Sequence, residues 1–568
     1  VSGDAAARET ASSDTLNRYA VAVLPFANVS RDPEDRFFTD GIHEEVIARL
    51  ARIGALRVIS RTSVMQYRGA EENVRAIAKE LGVGSVLEGS VRRAGDQLRV
   101  TAQLIDARTD THLWAETYDR VLSTENIFEV QSSIADRVAR SLEASLTTAE
   151  RSRIRERPTD DLEAYEFYLR GLAVSNLGFN EANERRSIAM YERAVELDPG
   201  FAEAWARLAA EHDNMIWLGY DRSEAREREA TAALERAREL APDHHQTVLT
   251  EAEHAYHRRR YEEAIDRFER ARSLLPNGAE AVSGMAFIRR RQGRLDEAIR
   301  LLTRALTLDP RSATLAFNLG ESQLLMRRCD EAEGTLQQVI AWSPDWARPH
   351  GFLALSRILC RGDVEGARAA LESAYSVVPN PQTEPFLDRL SMDVALMARN
   401  YDEALASVRR ISEPILDSQF WWVPGSLLEA EVHFLADRPD AAEARLRGAL
   451  ALLEPAAAER PADERVRSAL GLAYAHQGRH DEAIREGRVA LELMPYDVDA
   501  YNSSVRHEDL ARILVRVGEH DAAMEILEYL LGRPALITPH ELRLDPRFDP
   551  IRDDPRFQEL ADRPVTPL

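Results

Sequence analysis

Residues 243–276 read DHHQTVLTEAEHAYHRRRYEEAIDRFERARSLLP, residues 277–310 read NGAEAVSGMAFIRRRQGRLDEAIRLLTRALTLDP, and residues 311–344 read RSATLAFNLGESQLLMRRCDEAEGTLQQVIAWSP. Pro242, Pro276, Pro310 and Pro344 thus stand 34 residues apart, three times over. Small residues keep the same phase. Ala264, Ala298 and Ala332 lie twelve before a proline; Ala237, Ala271 and Ala305 lie five before one. Alanine lets two antiparallel helices approach closely, and proline, which lacks an N–H, stops the second helix. A fixed period of this length reads as stacked helical hairpins. One hairpin cannot bury its apolar face alone, so neighbours must stack.

The period extends in both directions from this block. Tyr191, Ala194 and Pro199 fit the second helix of a first hairpin, and Trp205 and Leu208 the first helix of the next. From Pro199 to Pro242 the gap is 43, which places an insertion around Met215–Arg222. After Pro344 the spacing loosens to Pro379, and the units around Ala404 and Ala442 match poorly. It returns with Leu470, Gly471, Tyr474, Gly478, Ala483, Ala490 and Pro495, and a last unit contains Gly518 and Ala522. The expectation is about ten hairpins over 161–540, wound as an all-α superhelix. In the tail, 541–568, Pro546, Pro550 and Pro555 alternate with Phe548, Ile551 and Phe557. Prolines argue against a regular helix there, and the aromatics need cover, so the tail is read as a cap on the last repeat.

The other end has a different grammar. Residues 1–18 are small, polar and aperiodic and read as a disordered linker. Val21 to Phe26 is a short apolar run, read as a buried strand. Asp40 and Gly41 are expected to open a helix that Gly54 ends, followed by a strand at Leu56–Ile59 and a helix capped by Asn73 and closed by Gly82. Val86–Arg93, a turn at Gly95-Asp96 and the alternation Leu98, Val100, Ala102, Leu104 make a hairpin. His112–Tyr118 adds a strand, and Ile127–Leu146 a helix. The order β-α-β-α-β-β-β-α describes a small α/β domain over 19–148; 149–160, rich in arginine, reads as a linker. The fold class is thus α+β overall, an α/β domain followed by an all-α repeat array.

The 34-residue unit resembles the tetratricopeptide repeat. Val23-Leu24-Pro25-Phe26, Phe38-Thr39-Asp40-Gly41-Ile42, Leu87-Glu88-Gly89-Ser90-Val91-Arg92 and Leu113-Trp114-Ala115-Glu116-Thr117-Tyr118-Asp119-Arg120 resemble the bacterial TolB-amino-terminal-like (FlgO-like) domain. The resemblance implies a region that follows a membrane helix and a cytoplasmic cyclase, kinase or winged-helix module, and that faces the periplasm. The cytoplasm is the alternative. The chain starts at Val1, not Met, and an upstream segment is expected.

Composition narrows the function. The net charge of −23 opposes phosphate backbones, so no nucleic-acid partner is expected. Of 73 basic residues only Lys79 is lysine, and Glu80 follows it, which removes the phosphate-binding loop and the kinase lysine. No apolar run approaches the ~20 residues of a membrane helix, and no signal peptide is seen. Cys329 and Cys360 cannot make a zinc site between them; a disulfide is conceivable, and two separate buried thiols are the favoured reading.

Motifs that hint at chemistry each meet a plainer reading. His43-Glu44-Glu45 lacks the second histidine of a zinc protease, since position 47 is Ile47, and reads as a solvated first helical turn. Gly82-Val83-Gly84 fails the dinucleotide fingerprint. His244, His245, His254 and His257 cluster, but read as surface histidines before a metal site. Arg258-Arg259-Arg260 and Arg289-Arg290-Arg291 could clamp an acidic peptide; a solvated edge paired with nearby acids is the favoured reading. No catalytic residue, cofactor or metal is assigned.

By resemblance, ligands lie along the first helix of each hairpin. Counting back from the prolines gives Gln246, Glu253, Tyr256 and His257, then Ser283, Phe287 and Arg290, then Phe317, Asn318 and Glu321. This mix suits a peptide or protein segment. The expected function is a non-enzymatic interaction scaffold or sensory region of a bacterial signalling protein. The alternatives are a self-assembling repeat protein, oligomer or filament, and the regulatory fragment of a cyclase or kinase.

Overall fold

The computed structural model describes residues 17–32, 35–69, 73–178, 180–377, 385–411 and 414–568. Most of the expected leading linker and Pro379 lie outside the described residues. The chain divides into two compact units, Val1–Met285 with Arg304–Ser312, and Ala286–Thr303 with Ala313–Leu568.

The first unit opens with β1 (Ala20–Val23), β2 (Ala27–Asn28), α1 (Arg36–Ala51), β3 (Arg57–Val58), α2 (Arg61–Val64), α3 (Val74–Leu81), β4 (Ser85–Ala94), β5 (Gln97–Asp106), β6 (Thr111–Val121) and α4 (Thr124–Ser141). The sheet runs β3-β1-β4-β5-β6, with β2 beside β4. β1 is parallel to β3 and β4; β4, β5 and β6 are antiparallel. All four residues of β1 are buried, as befits a strand covered on both faces.

The helices here differ from expectation in α1, in α4, which runs over Thr124–Ser141 and not Ile127–Leu146, and in one helix that was not expected. α1 begins at Arg36, not at Asp40, because Phe38 is fully buried and carries the apolar face back one turn. Gly41 is a mid-helix contact, not an opening: a Cβ there would stand 2.6 Å from Leu169 Cδ2. The arginine-rich stretch read as a linker instead contains α5 (Thr148–Ile154), nucleated by a capping box between Thr147 and Glu150. Ile154 is fully buried in a core that runs unbroken from β1 to Leu234.

The helices that follow come in pairs: α6 (Leu162–Ser175) and α7 (Glu181–Leu197), α8 (Ala202–Trp217) and α9 (Glu224–Leu240), α10 (His245–His257) and α11 (Tyr261–Leu274), α12 (Ala279–Arg291) and α13 (Leu295–Leu308), α14 (Ala313–Leu325) and α15 (Cys329–Trp342), α16 (Ala347–Arg361) and α17 (Val364–Val377), α18 (Pro385–Met397) and α19 (Tyr401–Arg410). A short ribbon, β7 (Ile415–Asp417) and β8 (Trp422–Pro424), then interrupts the array. α20 (Gly425–Leu435) and α21 (Pro439–Glu459), α22 (Glu464–Gln477) and α23 (His480–Leu493), α24 (Ala500–Val517) and α25 (His520–Leu531) complete it. The period is written in the backbone as well. Arg259, Gly293 and Arg327, spaced by 34, close the first helices of three hairpins with φ of 58°, 72° and 53°.

Within the second unit Cys329, which opens α15, and Cys360, near the end of α16, are joined by a disulfide. The favoured reading of separate thiols is therefore corrected: antiparallel neighbours bring the two Cα atoms within 5.8 Å. The tail also differs from expectation, for it contains α26 (Pro539–Leu544), a 3-10 turn (Pro546–Ile551) and α27 (Pro555–Ala561). Pro539, Pro546 and Pro555 stand in first turns, where a missing N–H breaks no bond. Phe548, Ile551 and Phe557 are buried with Leu510 and Leu514 of α24 and Leu527 of α25. The tail also meets earlier repeats of this unit: Thr538 Oγ1 donates to Leu359 O at 2.7 Å, and Arg399 Nη2 to Asp549 Oδ1 at 2.8 Å.

Candidate functional site

In the first unit, α10 and the start of α12 present the predicted positions. Gln246 is buried and donates to Thr250 Oγ1 at 3.3 Å. Tyr256 is buried beside Trp217, their ring centres 5.3 Å apart. His257 stacks on the same indole at 4.7 Å, and burial lowers it to about 4, so its neutral ring is an aromatic surface at physiological pH. Ser283 bonds within its own helix, Oγ to Glu280 O at 3.0 Å. The histidines are not a surface group. His254 shares Asp213 with Arg258, each at 2.9 Å, and the aspartate is all but fully buried. His244 and His245 are both lowered, chiefly by burial. Among the described residues no three His, Cys, Asp or Glu side chains are grouped to hold a metal.

Glu253 is half-buried, and burial, opposed by Arg207 and helped by Glu280, raises it to about 7. Its folded value lies above its unfolded one, so its contribution is present at low pH and is lost as pH rises from about 4.5 through 7. Glu253→Gln is expected to be more stable than the parent by about 2 kcal/mol near pH 8 and nearly equal to it near pH 5. Urea titrations at the two pH values check this; an equal difference at both would refute it.

In the second unit the predicted positions form a connected chain. Arg290 ion-pairs with Glu321 and donates to Asn318 Oδ1 at 3.0 Å. Tyr501 of α24 donates its hydroxyl to the other oxygen of Glu321 at 2.8 Å. The Arg290 guanidinium lies over two rings, Phe287 at 5.6 Å and Tyr501 at 5.7 Å. Burial would raise Glu321, but Arg290, Arg348 and the Tyr501 hydroxyl hold it below the usual carboxylate range. Phe317 is buried between Trp346 and Phe352, 5.0 Å from each, with Arg348 over its face at 5.7 Å. Arg291 pairs with buried Asp499 at 3.2 Å. Arg290 and Arg291 are therefore internal, not the solvated edge the sequence suggested, because α14 supplies acceptors to Arg290 and Asp499, the N-cap of α24, supplies one to Arg291. Tyr501, Arg348 and Asp499 were absent from the expected set. Nothing in a 34-residue spacing points to a partner 180 residues away.

The His43-Glu44-Glu45 stretch is also internal. His43 Nε2 bonds Val23 O at 2.9 Å, and burial lowers its ring to about 4. With α1 starting at Arg36, these residues lie in the helix body and not in a solvated first turn.

Two models described as tetratricopeptide repeat match residues 289–355 and 427–498. Those two stretches of the array are tetratricopeptide repeats. Residues 17–137 match the model of the HilA/YgeH-like transcriptional regulator, second domain. A Rhizobium meliloti (strain 1021) protein named "Putative adenylate cyclase 3" is 43% identical over 190 residues, 34% of this chain and 32% of its own length. The chain thus spans about a third of that relative. Among solved structures, the human IFIT1 dimer with PPP-AAAA covers 65% of this chain and 82% of its own, at 17% identity and TM-score 0.38. A tetratricopeptide repeat protein of Parabacteroides merdae covers 47% and 97%, at 16% identity and TM-score 0.34. A thermophilic repeat protein of Thermus thermophilus covers 30% and 90%, at 23% identity and TM-score 0.26. At these TM-scores the likenesses say nothing further about this chain.

Proposed function

We propose that this chain is a non-catalytic sensory and partner-holding region of a bacterial signalling protein, and that its repeats hold a protein or peptide segment. The observation that carries the reading is the pair of repeat matches at 289–355 and 427–498, since stacked hairpins offer an extended surface. The regulator-domain match at 17–137 and the relative named as a cyclase support the signalling context. The TolB-amino-terminal-like resemblance of 20–148 fits the same context. The Cys329–Cys360 disulfide supports placement on the periplasmic side, where such bonds persist. Trapping thiols in intact cells checks this: alkylation of both cysteines without prior reduction would exclude it.

The contact set needs refinement. Phe317 is buried in an aromatic stack, so its removal would unfold more than it would unbind. Glu253 and Phe287 are half-buried and tolerate probing. A photo-crosslinking residue at 253 or 287 of the full chain, expressed in a bacterium, is expected to trap a discrete protein adduct. The same residue at exposed position 300 on α13 serves as the control. Adducts at 300 alone would overturn the assignment.

A further inference from the structure

A cavity of about 190 Å³ lies in the first unit where α1 faces the start of α8 and the turn before α10. Three of its side chains are more than nine-tenths buried and hold bonding capacity that the protein does not use. Arg52 donates only through Nη1, to Arg153 O at 2.6 Å and Glu156 Oε2 at 3.3 Å; Nε and Nη2 have no partner among the described residues. Glu203 accepts the Tyr168 hydroxyl on Oε1 at 2.8 Å, and its other oxygen is unused. Glu45 makes no hydrogen bond or ion pair among the described residues, and burial followed by the Glu203 charge pushes it up to about 7 against the opposing pull of Arg49 and Arg52. His244 adds a buried Nδ1 without a partner.

Neighbouring Arg49 is different. It directs its donors to Gln131 Oε1, Ser132 Oγ and the carbonyls of Ile154 and Glu156, and so is a strut of the wall. Charges held in a largely buried recess are costly unless answered, and here both signs line one space that solvent reaches. A simple anion would leave the carboxylates unanswered, and a metal ion would meet two guanidinium groups. A ligand carrying both charges answers both. The volume is below the ~300 Å³ of drug-sized sites, which suits a molecule of roughly ten heavy atoms. Leu240, Ala241 and Pro158 supply an apolar wall for a short side chain.

We propose that this cavity is a receptor site for a free α-amino acid, its carboxylate held by Arg52 and its ammonium by Glu45 and Glu203. The site joins the α/β part to the repeats, and it stands whether or not the repeats hold a protein partner.

Calorimetric titration of the full chain with each proteinogenic amino acid tests this. At least one is expected to bind with a Kd below about 1 mM. Its N-acetyl form, without the ammonium, and its amide, without the carboxylate, are each expected to bind about tenfold more weakly or worse. Glu45→Gln and Glu203→Gln preserve shape, and in the second variant the amide oxygen can still accept from the Tyr168 hydroxyl. Each is expected to weaken binding about tenfold while keeping a cooperative thermal transition. No binding by any amino acid up to about 10 mM would overturn the proposal. So would unweakened binding of both derivatives, or an unchanged Kd in both folded variants.

Discussion

Arg290→Ala is expected to destabilise the second unit by about 3–5 kcal/mol, the cost of stranding a buried charge. The side chains of Arg290 and Glu321 are 8% and 5% exposed, so solvent cannot take over from the lost partner. Glu321 would keep the Tyr501 hydroxyl and lose the guanidinium that best offsets its burial. The loss should shrink as pH falls. A carboxylate held low in the folded state stabilises above its unfolded value, and that contribution disappears on acidification. A triple variant, Arg290→Met with Glu321→Leu and Tyr501→Phe, removes charge and hydroxyl together and is expected to recover most of the loss. Urea titration followed by circular dichroism reads all three states. A loss below about 1 kcal/mol for Arg290→Ala would mean the pair is solvated.

Arg547→Met is expected to cost a similar amount, about 3–5 kcal/mol. Its Nε donates to both oxygens of Asp545 at 2.8 Å, and Nη1 reaches Asp393 at 3.0 Å. Asp545 is fully buried, and Glu541 nearby is already raised well above the usual range by burial, Glu508 and Asp545. Asp393 is held low against its burial by Arg389 and Arg547. Without Arg547 buried Asp545 loses its paired guanidinium and half-buried Asp393 keeps only Arg389, so protonation becomes the way out. The penalty should therefore be greatest near pH 8 and smaller near pH 5. Adding Asp545→Asn should restore part of it. Equal penalties at both pH values, with no recovery in the double variant, would remove electrostatics as the cause.

The repeat period was legible because close packing demands it. Ala264, Ala298 and Ala332 are each fully buried, and any larger residue would push two helices apart. The sheet strands were legible from alternation and from the Gly95-Asp96 turn. The sequence could not show what returns to the repeats from afar: Tyr501 meets Glu321 through folding of the whole second unit, not through local spacing. The disulfide was half visible. Adding 34 to Cys329 gives 363, and Cys360 stands one helical turn before it. The missed α5 left a signal, the Thr147-x-x-Glu150 box, hidden by the arginines around it. Of the expected contact residues, the chemistry of each was readable but its exposure was not. Arg290 and Phe317 looked like ligand-facing groups and are interior ones.

The tight seat of Leu169 against Gly41 bears on how such chains could be recombined. A Cβ at position 41 would stand 2.6 Å from a Leu169 methyl carbon, so the sheet-bearing part and α6 are matched surfaces. A chimera spliced between positions 149 and 160 would separate lock from key and expose Tyr165, Tyr168 and Leu169 to water. One spliced beyond Leu275 would carry that apolar mass across intact, and that is where a transplant of the amino-terminal part should be cut.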